Sequence, residues 1–366
     1  MRMGEVRALW VVRHSIASPV GVDRLVELAV RYGFDTLIAQ VRARGDAFYA
    51  SALEPQAELL KDPRYDPLSY LLLRAHKAGL RVHAWLNALF TWSGPKRPLS
   101  PDHILNAHSD WLMVHQTGRP IQADDYEGFY VCPSRPEAQA HLWRVSLDVA
   151  QRYPVDGIHL DYIRYPGPEF CYCPSCQKAF TLSLIGKGDV SQADAMVQGA
   201  QGRWGISWPD QPQYAVAWAE FRRQQVTELV AAIYRGVKRL KPQVMVSAAV
   251  LPNRADASKT RFQDWRDWLR QGMLDVVCPM AYSTDTSTVE EQVRDVVAEA
   301  HGRPVWAGLG AWQMSPESTY EKIKTVRSLG AAGFALFSYG SVTNEVADET
   351  YLKALQARLG GTGTEG

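Results

Sequence analysis

The sequence predicts an α/β fold, a (β/α)8 barrel with long loops on the face where its strands end. Eight short apolar segments rich in β-forming residues alternate with segments of helical periodicity, as expected for βα units around a parallel sheet. Two connections that follow strands are much longer than usual, and one strand ends in polar side chains. The strands are predicted at residues 8–13, 35–41, 81–87, 156–162, 244–250, 274–281, 304–309 and 333–338.

The predicted helices show apolar residues at helical spacing and ordinary end signals. Residues 22–29 form one apolar face before Gly33, a residue type that commonly ends helices. The pattern of residues 226–240 stops at Pro242, and a third helix is predicted from Ser315 to Gly330. These amphipathic segments are expected to cover the outside of the barrel.

The long connections run from about 88 to 135 and from about 166 to 215. In a barrel, loops that follow strands lie on the C-terminal face, where substrates bind, so the extra length predicts the walls of a cleft. No linker divides the chain. We therefore predict one barrel domain over residues 1–359, followed by a disordered tail at 360–366.

Composition excludes several classes of partner. The net charge of the 366 residues is +1 and no run of Lys or Arg occurs, so neither nucleic acid nor an anionic membrane surface is expected to bind. No apolar run approaches the ~20 residues that span a bilayer. Residues 1–4 lead directly into a strand-like segment without the apolar core of a signal peptide.

The most informative stretch is residues 155–166, where an aliphatic strand ends in polar groups. A strand buried on both faces has no packing use for such groups, so the cluster indicates a site. Asp161 is predicted to act as nucleophile or base, with His159 on the same side of the strand. Tyr162 and Arg164 continue the rim, and Arg164 is placed to keep Asp161 ionised by lowering its pKa. Two plainer alternatives are an Asp161–Arg164 salt bridge that closes a loop and a His159 satisfied inside the barrel.

Residues 156–166 read Asp-Gly-Ile-His-Leu-Asp-Tyr-Ile-Arg-Tyr-Pro. This segment resembles the fourth strand of α-amylase-like enzymes, approximately Asp-Gly-Phe-Arg-Leu-Asp, in which the last Asp is the nucleophile. It also resembles the Asp-Gly-x-Asp-x-Asp-x-Glu strand of family 18 chitinases, but Ile163 takes the place of the acid Glu. The closer resemblance, over most of residues 6–355, is to the bacterial glycosyl hydrolase-like 10 family, which reads Asp-Gly-Ile-His-Phe-Asp-Asp-Tyr-Phe-Tyr-Pro here. Members of that family are usually exported, which leaves export and the cytosol both open for this chain.

Glycosidic cleavage normally takes two carboxyl groups, and no motif identifies the second one. We favour Asp285, because residues 279–283 resemble the Met-x-Tyr-Asp strand end of chitinase clefts, and Glu345 is the next choice. Each is also explained as a solvated surface charge. The same holds for the other carboxylates near predicted strand ends, which are Asp46, Asp125, Glu127 and Asp256.

Sugar rings stack on aromatic side chains, and several aromatic residues, Trp92 among them, fall at or just after predicted strand ends. Arg13 and Arg42 end the first two strands, and Asn87 ends the third, where its amide suits a sugar hydroxyl. The residues predicted to bind substrate are Arg13, Arg42, Trp85, Asn87, His159, Tyr162, Arg164, Tyr282, Trp312 and Tyr339.

Three thiols, Cys171, Cys173 and Cys176, lie within six residues on the second long connection. A zinc site needs a fourth ligand, which only Cys132 or a His could supply. Structural zinc, a Cys-x-x-Cys disulfide and free cysteines stay open, and no metal ligand is assigned. No phosphate-binding loop or His-Glu-x-x-His motif occurs, and no cofactor is predicted.

These observations predict a glycoside hydrolase. The resemblance implies that its substrate is a bacterial polysaccharide, such as the glycan strand of peptidoglycan, so the expected partner is an oligosaccharide or polysaccharide. The alternative enzyme is a hydrolase of α-glucan or exopolysaccharide. The alternative from another class is a catalytically inactive glycan-binding barrel, because barrels keep aromatic clefts after losing their chemistry.

Overall fold

A computed structural model describes residues 4–186, 212–343 and 348–360 of the chain. The strands are β1 (Val6–Val11), β2 (Thr36–Arg42), β3 (Arg81–Asn87), β4 (Phe90–Trp92), β5 (Phe129–Tyr130), β6 (Gly157–Asp161), β7 (Met245–Val250), β8 (Val276–Pro279), β9 (Trp306–Gly310) and β10 (Gly333–Phe337). Eight of them form one parallel sheet in the order β8-β7-β6-β3-β2-β1-β10-β9, and β4 pairs with β5 in a separate antiparallel hairpin.

The parallel sheet closes into a barrel between its two outer strands. Parallel bridges join Val277 to Val305 and Met280 to Gly308, and the Val277 N–H donates to the Pro304 carbonyl at 3.1 Å. The α/β barrel is therefore confirmed, and each of the eight predicted strands overlaps an observed one. All seven residues of β2 are buried, as expected for a strand packed on both faces.

The helices are α1 (Pro19–Arg31), α2 (Pro67–Lys77), α3 (Ile104–Ala107), α4 (Pro136–Arg152), α5 (Pro174–Gly186), α6 (Pro212–Leu240), α7 (Trp265–Arg270), α8 (Thr286–Ala298), α9 (Pro316–Ser328), α10 (Tyr339–Val342) and α11 (Thr350–Gly360). Several begin with a proline, which has no N–H to leave unpaired in the first turn. Ser18 and Ser315 cap α1 and α9 by accepting a backbone N–H. Short irregular turns cover Arg13–Ile16, Ser109–Trp111, Asp256–Thr260 and Ala311–Gln313.

Apolar side chains pack on both sides of the barrel wall. The larger core lies between the strands and the outer helices and includes Leu25, Val289 and Val326. The smaller core fills the barrel interior and consists of Val6, Ala8, Trp10, Ile38, Trp85, Val276, Cys278, Trp306 and Ala335. Side chains thus pack the barrel interior, so a ligand is expected at the ends of the strands rather than inside the barrel.

The first long connection folds back onto the end of β6. The Ala88 N–H donates to the Asp161 carbonyl at 2.7 Å, and the Leu89 N–H donates to the Tyr162 carbonyl at 3.1 Å. The β4–β5 hairpin continues from there, with Phe90 opposite Tyr130. The hairpin is therefore held beside the polar end of β6.

The second long connection contains α5, and its residues 187–211 lie outside the described part of the chain. The single-domain organisation stays a prediction. Of the tail predicted to be disordered, Gly360 ends α11 and residues 361–366 are not described. None of the helices within the described ranges combines the length and the apolar character needed to cross a membrane.

Candidate active site

A cavity of about 320 Å³ opens at the C-terminal ends of the barrel strands. Strands β1, β2, β3, β6, β7 and β10 and the β4–β5 hairpin region all contribute to its wall. The lining residues are Trp10, Val12, Arg13, Gln40, Arg44, Trp85, Asn87, Phe90, Ser93, Glu127, Asp161, Tyr162, Arg164, Ala249, Met280, Tyr282 and Phe337. Two carboxyl groups, Asp161 and Glu127, belong to this set.

Asp161 is the last residue of β6, and its side chain reaches the cavity while remaining only 8% exposed. The Tyr162 N–H donates to Asp161 Oδ1 at 2.7 Å. Burial raises the pKa of the Asp161 carboxyl to about 6, although the Tyr162 amide and the Arg164 cation act in the opposite direction. Arg164 lowers the pKa of Asp161, as expected from the sequence, but burial outweighs it.

Glu127 enters the cavity from the turn that precedes β5. Gly128 follows it with φ of 132°, and a Cβ atom there would lie 2.3 Å from the Trp92 carbonyl, so only glycine fits this turn. Arg164 Nη2 donates to Glu127 Oε1 at 2.9 Å, and the Tyr130 hydroxyl donates to Oε2 at 2.8 Å. Burial raises the pKa of Glu127, but Arg164 and Tyr130 outweigh it and leave the pKa below its ordinary value.

Arg164 is buried and stands between the two carboxyl groups. Its salt bridge goes to Glu127 rather than to Asp161, so the loop-closing pair considered from the sequence is not the one that forms. The guanidinium lies over the Tyr162 ring, 4.9 Å from its centroid. Its Nε and Nη1 atoms are buried and have no hydrogen-bond partner within the described ranges.

Aromatic rings form one side of the cavity. Tyr282 contacts the rings of Trp10, Phe337 and Trp312, with centroid separations of 6.4, 5.7 and 4.9 Å. Trp312 is 48% exposed and stands beside the cavity rather than in its lining. Trp85 is buried, and its Nε1–H donates to Asn87 Oδ1 at 2.8 Å, so it is a wall residue with little face to offer a sugar.

Two further cations line the cavity. Arg13 follows β1 and donates from Nη1 to Gln40 Oε1 at 3.3 Å. Arg44 follows β2, and its guanidinium lies 4.3 Å from the centroid of the Trp92 ring. Among the described residues, neither Arg13 nor Arg44 forms a salt bridge, so both positive charges are available to an anionic ligand.

Besides Trp312, three of the residues predicted to bind substrate lie away from the cavity lining. Arg42 is buried in a salt bridge with Glu54, at 2.7 Å, and so fastens β2 to the following loop. His159 lies inside the barrel, where Trp10 Nε1–H donates to Nε2 at 3.3 Å and Nδ1 faces Ser247 Oγ at 2.9 Å. Burial lowers the pKa of His159 to about 3, and this residue is the satisfied inner-barrel histidine. The third, Tyr339, is the buried first residue of α10.

Asp285, the residue favoured from the sequence as the second carboxylate, is not among the residues that line the cavity. Asp285 is exposed and caps α8, where its carboxylate accepts the Thr288 N–H at 2.8 Å and the Ser287 hydroxyl at 2.6 Å. These hydrogen bonds lower the pKa of Asp285. Glu345 lies outside the described residues.

The family model described as Glycosyl hydrolase-like 10 matches residues 5–309. The chain belongs to the glycosyl hydrolase-like 10 family. It is 28% identical to "Glycosyl hydrolase DigH" of Escherichia coli strain K12 over 293 residues, which are 71% of this chain and 57% of DigH. It is 26% identical to "Glycosyl hydrolase YngK" of Bacillus subtilis strain 168 over 317 residues, 76% of this chain and 54% of YngK. The chain thus spans just over half the length of these relatives.

Solved structures with the same fold include glycosidases. The PgaB (BpsB) glycoside hydrolase domain from Bordetella bronchiseptica superposes with a TM-score of 0.69 at 16% identity, over 97% of this chain and 98% of that domain. A β-galactosidase from Bacillus circulans sp. alkalophilus gives a TM-score of 0.70 at 16% identity, over 98% of this chain and 55% of the other. These similarities confirm the barrel fold.

Proposed function

We propose that this glycosyl hydrolase-like 10 member hydrolyses glycosidic bonds of a bacterial polysaccharide in the cavity that Asp161 and Glu127 help to line. One observation carries the proposal: two carboxyl groups share a cavity, and their environments shift their pKa values in opposite directions. Pairs of this kind mark the acid and its ionised partner in glycosidases. A cavity that only bound glycans would need no such difference.

The pKa shifts assign the roles. Asp161, with its pKa raised to about 6, is the group that can hold a proton near neutral pH and give it to the leaving oxygen. Glu127 stays ionised beside Arg164 and acts as nucleophile or base on the oxocarbenium-like centre. This assignment reverses the role that the strand motif predicted for Asp161.

Stacking and charge support a cell-wall glycan as the substrate. Tyr282 and the exposed Trp312 offer ring faces and edges beside the two carboxyl groups. Arg13 and Arg44 bring positive charge to the wall without a salt-bridge partner in the described ranges. A glycan that carries carboxylate substituents, as the muramyl residues of peptide-free peptidoglycan strands do, would meet these cations, whereas a neutral α-glucan would not.

The test is to incubate the protein with a panel of glycans and to measure hydrolysis as the release of reducing ends. The panel holds peptidoglycan glycan strands, chitin oligosaccharides, which have the same backbone without the carboxylates, and α-glucan. We expect cleavage of the anionic strands over chitin, and loss of that preference in Arg13→Gln and Arg44→Gln. Cleavage of α-glucan alone would refute the substrate, and binding without cleavage of any glycan would refute the enzyme.

Glu127→Gln tests the second carboxylate, which the sequence did not single out. The amide keeps the shape and removes the charge, so we expect a loss of about 100-fold or more in kcat. Asp285→Asn is the matched control, because asparagine also caps a helix and Asp285 lies outside the cavity lining. The reverse result, with Asp285→Asn inactive and Glu127→Gln active, would overturn the assignment.

A further inference from the structure

Four cysteines from the two long connections meet in one buried cluster. Cys132 follows β5, and Cys171, Cys173 and Cys176 come from the segment after β6. Their Sγ atoms all lie within 4.8 Å of one another, and all four residues are buried. The Cys132 Sγ atom is 3.2 Å from that of Cys176 and 3.7 Å from that of Cys173.

These separations match four thiolates around one tetrahedral ion. A Zn–S bond of about 2.3 Å places tetrahedral sulfur ligands about 3.8 Å apart. A disulfide needs about 2.05 Å, which is far shorter than the 3.2 Å between Cys132 and Cys176, and all four cysteines are free thiols. The sequence supplied three ligands and left the fourth open; the fold places Cys132 in that position.

Backbone N–H groups donate to two of the four sulfur atoms. The Val114 N–H donates to Cys171 Sγ at 3.2 Å, and the Cys176 N–H donates to Cys173 Sγ at 3.4 Å. Such outer hydrogen bonds orient metal ligands and stabilise their charge. α5 begins directly after Cys173, so its first turn brings Cys176 back to the cluster.

A buried cation stands beside the four sulfurs. Arg222 is 5% exposed, interacts electrostatically with Cys176 and Cys171, and donates to the Phe170 carbonyl at 2.6 Å. Within the described ranges it forms no salt bridge with a carboxylate. A buried charge normally has a partner of opposite sign. A four-thiolate zinc centre carries a net negative charge and would supply that partner.

We infer that Cys132, Cys171, Cys173 and Cys176 bind one structural Zn²⁺ ion. The ion would fasten the β4–β5 hairpin to the segment after β6, since one ligand comes from the first and three from the second. Cys132 lies two residues after Tyr130, which holds Glu127. The metal site is independent of the proposed hydrolysis; only its effect on the position of Glu127 rests on that function.

The experiment measures metal in the full chain purified from zinc-supplemented medium. We expect one zinc per chain by elemental analysis, and release of that zinc when a thiol reagent titrates four of the five cysteines. Cobalt replacing the zinc should give the charge-transfer and d–d absorption of tetrahedral thiolate coordination. No bound metal, together with five reduced thiols counted after unfolding in denaturant, would overturn the inference, and so would one iron per chain or a disulfide.

Cys132→Ser and Cys278→Ser separate this site from a general effect of losing a thiol. Cys278 is buried in β8, away from the cluster, so its variant should keep one zinc per chain. Cys132→Ser should bind zinc at least tenfold more weakly in competition with a chromophoric chelator, at an unchanged far-UV spectrum. If that variant does not fold, the stoichiometry on the unmodified chain still decides the question. Equal zinc retention by both variants would contradict the ligand set.

Discussion

Asp161→Asn is the most direct test of the role assigned to Asp161. The amide has the same shape but cannot protonate a leaving group, and general acid catalysis contributes about 100- to 10,000-fold. With the pKa of Asp161 at about 6, about nine tenths of the wild-type enzyme holds the proton at pH 5 and about one tenth at pH 7. The wild-type kcat/KM should therefore fall as pH rises through 6, about tenfold for each further pH unit.

Asp161→Asn should lose the fall in kcat/KM above pH 6 as well as most of its activity. The fold-loss caused by Asp161→Asn is then largest below pH 6 and shrinks above it, because the wild-type enzyme itself loses its proton there. The assay is the initial rate of reducing-end release on the cleaved glycan from pH 4 to 9. Thermal unfolding should match that of the wild type, which separates lost chemistry from lost fold.

A second substrate makes the test specific for the acid. An aryl glycoside of the same sugar with an acidic phenol leaving group needs no protonation, so Asp161→Asn should retain most of its activity on it. Glu127→Gln should lose activity on both substrates, because the ionised group is needed whatever leaves. Equal losses on both substrates in Asp161→Asn, or an alkaline limb that persists near pH 6, would refute the acid role.

Three further substitutions test the surroundings. Arg164→Gln removes the cation that lowers the pKa of Glu127, so the acidic limb of kcat/KM should move to higher pH. Trp312→Ala should weaken glycan binding by about 1 kcal/mol, roughly fivefold in Kd by titration calorimetry, with little change in Tm. Arg42→Met removes the salt-bridge partner of the buried Glu54 carboxylate and should lower the free energy of unfolding, measured with urea, by about 3–5 kcal/mol.

Each of these results has a matched comparison. Trp268 is fully buried, so Trp268→Ala should lower Tm without changing Kd, the opposite of Trp312→Ala. Although burial raises the pKa of Glu54, Arg42 and His141 lower it to about 2. The stability that the Glu54 charge contributes is thus present above the ordinary pKa of glutamate and is lost as pH falls toward 2. At that pH the free energies of unfolding of the wild type and Arg42→Met should converge. An acidic limb that Arg164→Gln leaves in place would contradict the ion pair.

The strand pattern predicted the barrel because burial on both faces leaves a plain signal in sequence. β6 could be predicted in the same way, together with the cavity residues at its end, Asp161, Tyr162 and Arg164. The pKa of Asp161 could not be predicted, since it depends on how deeply the neighbouring walls bury the carboxyl. A polar group near a strand end can either bind a ligand or pair with another buried group, and the sequence does not distinguish the two. His159 and Arg42 have buried partners, Ser247 and Glu54, so both are structural residues.

Glu127, which we propose as the second carboxylate, was a candidate that the sequence did not favour, because a loop and not a strand carries it. The sequence signal for Glu127 is modest: a Glu-Gly pair directly before the short segment Phe129-Tyr130, where glycine permits a turn. Nothing local says that this hairpin returns to β6, because the bonds from Ala88 and Leu89 to the end of β6 are long-range backbone contacts. Asp285 had the better motif, but its own helix uses the carboxylate as a cap.

The different origins of the two carboxyl groups explain why their pKa values shift in opposite directions. Asp161, at the end of a barrel strand, is only 8% exposed, so desolvation raises its pKa and favours its proton. A side chain on the hairpin is more exposed, at 35% for Glu127, and faces Arg164. Arg164 lowers the pKa values of both carboxyl groups but forms a hydrogen bond only with Glu127, so it increases the difference between the two pKa values. The position of the hairpin against the segment after β6 therefore affects how far Arg164 lowers the pKa of Glu127, and the four cysteines come from those two segments.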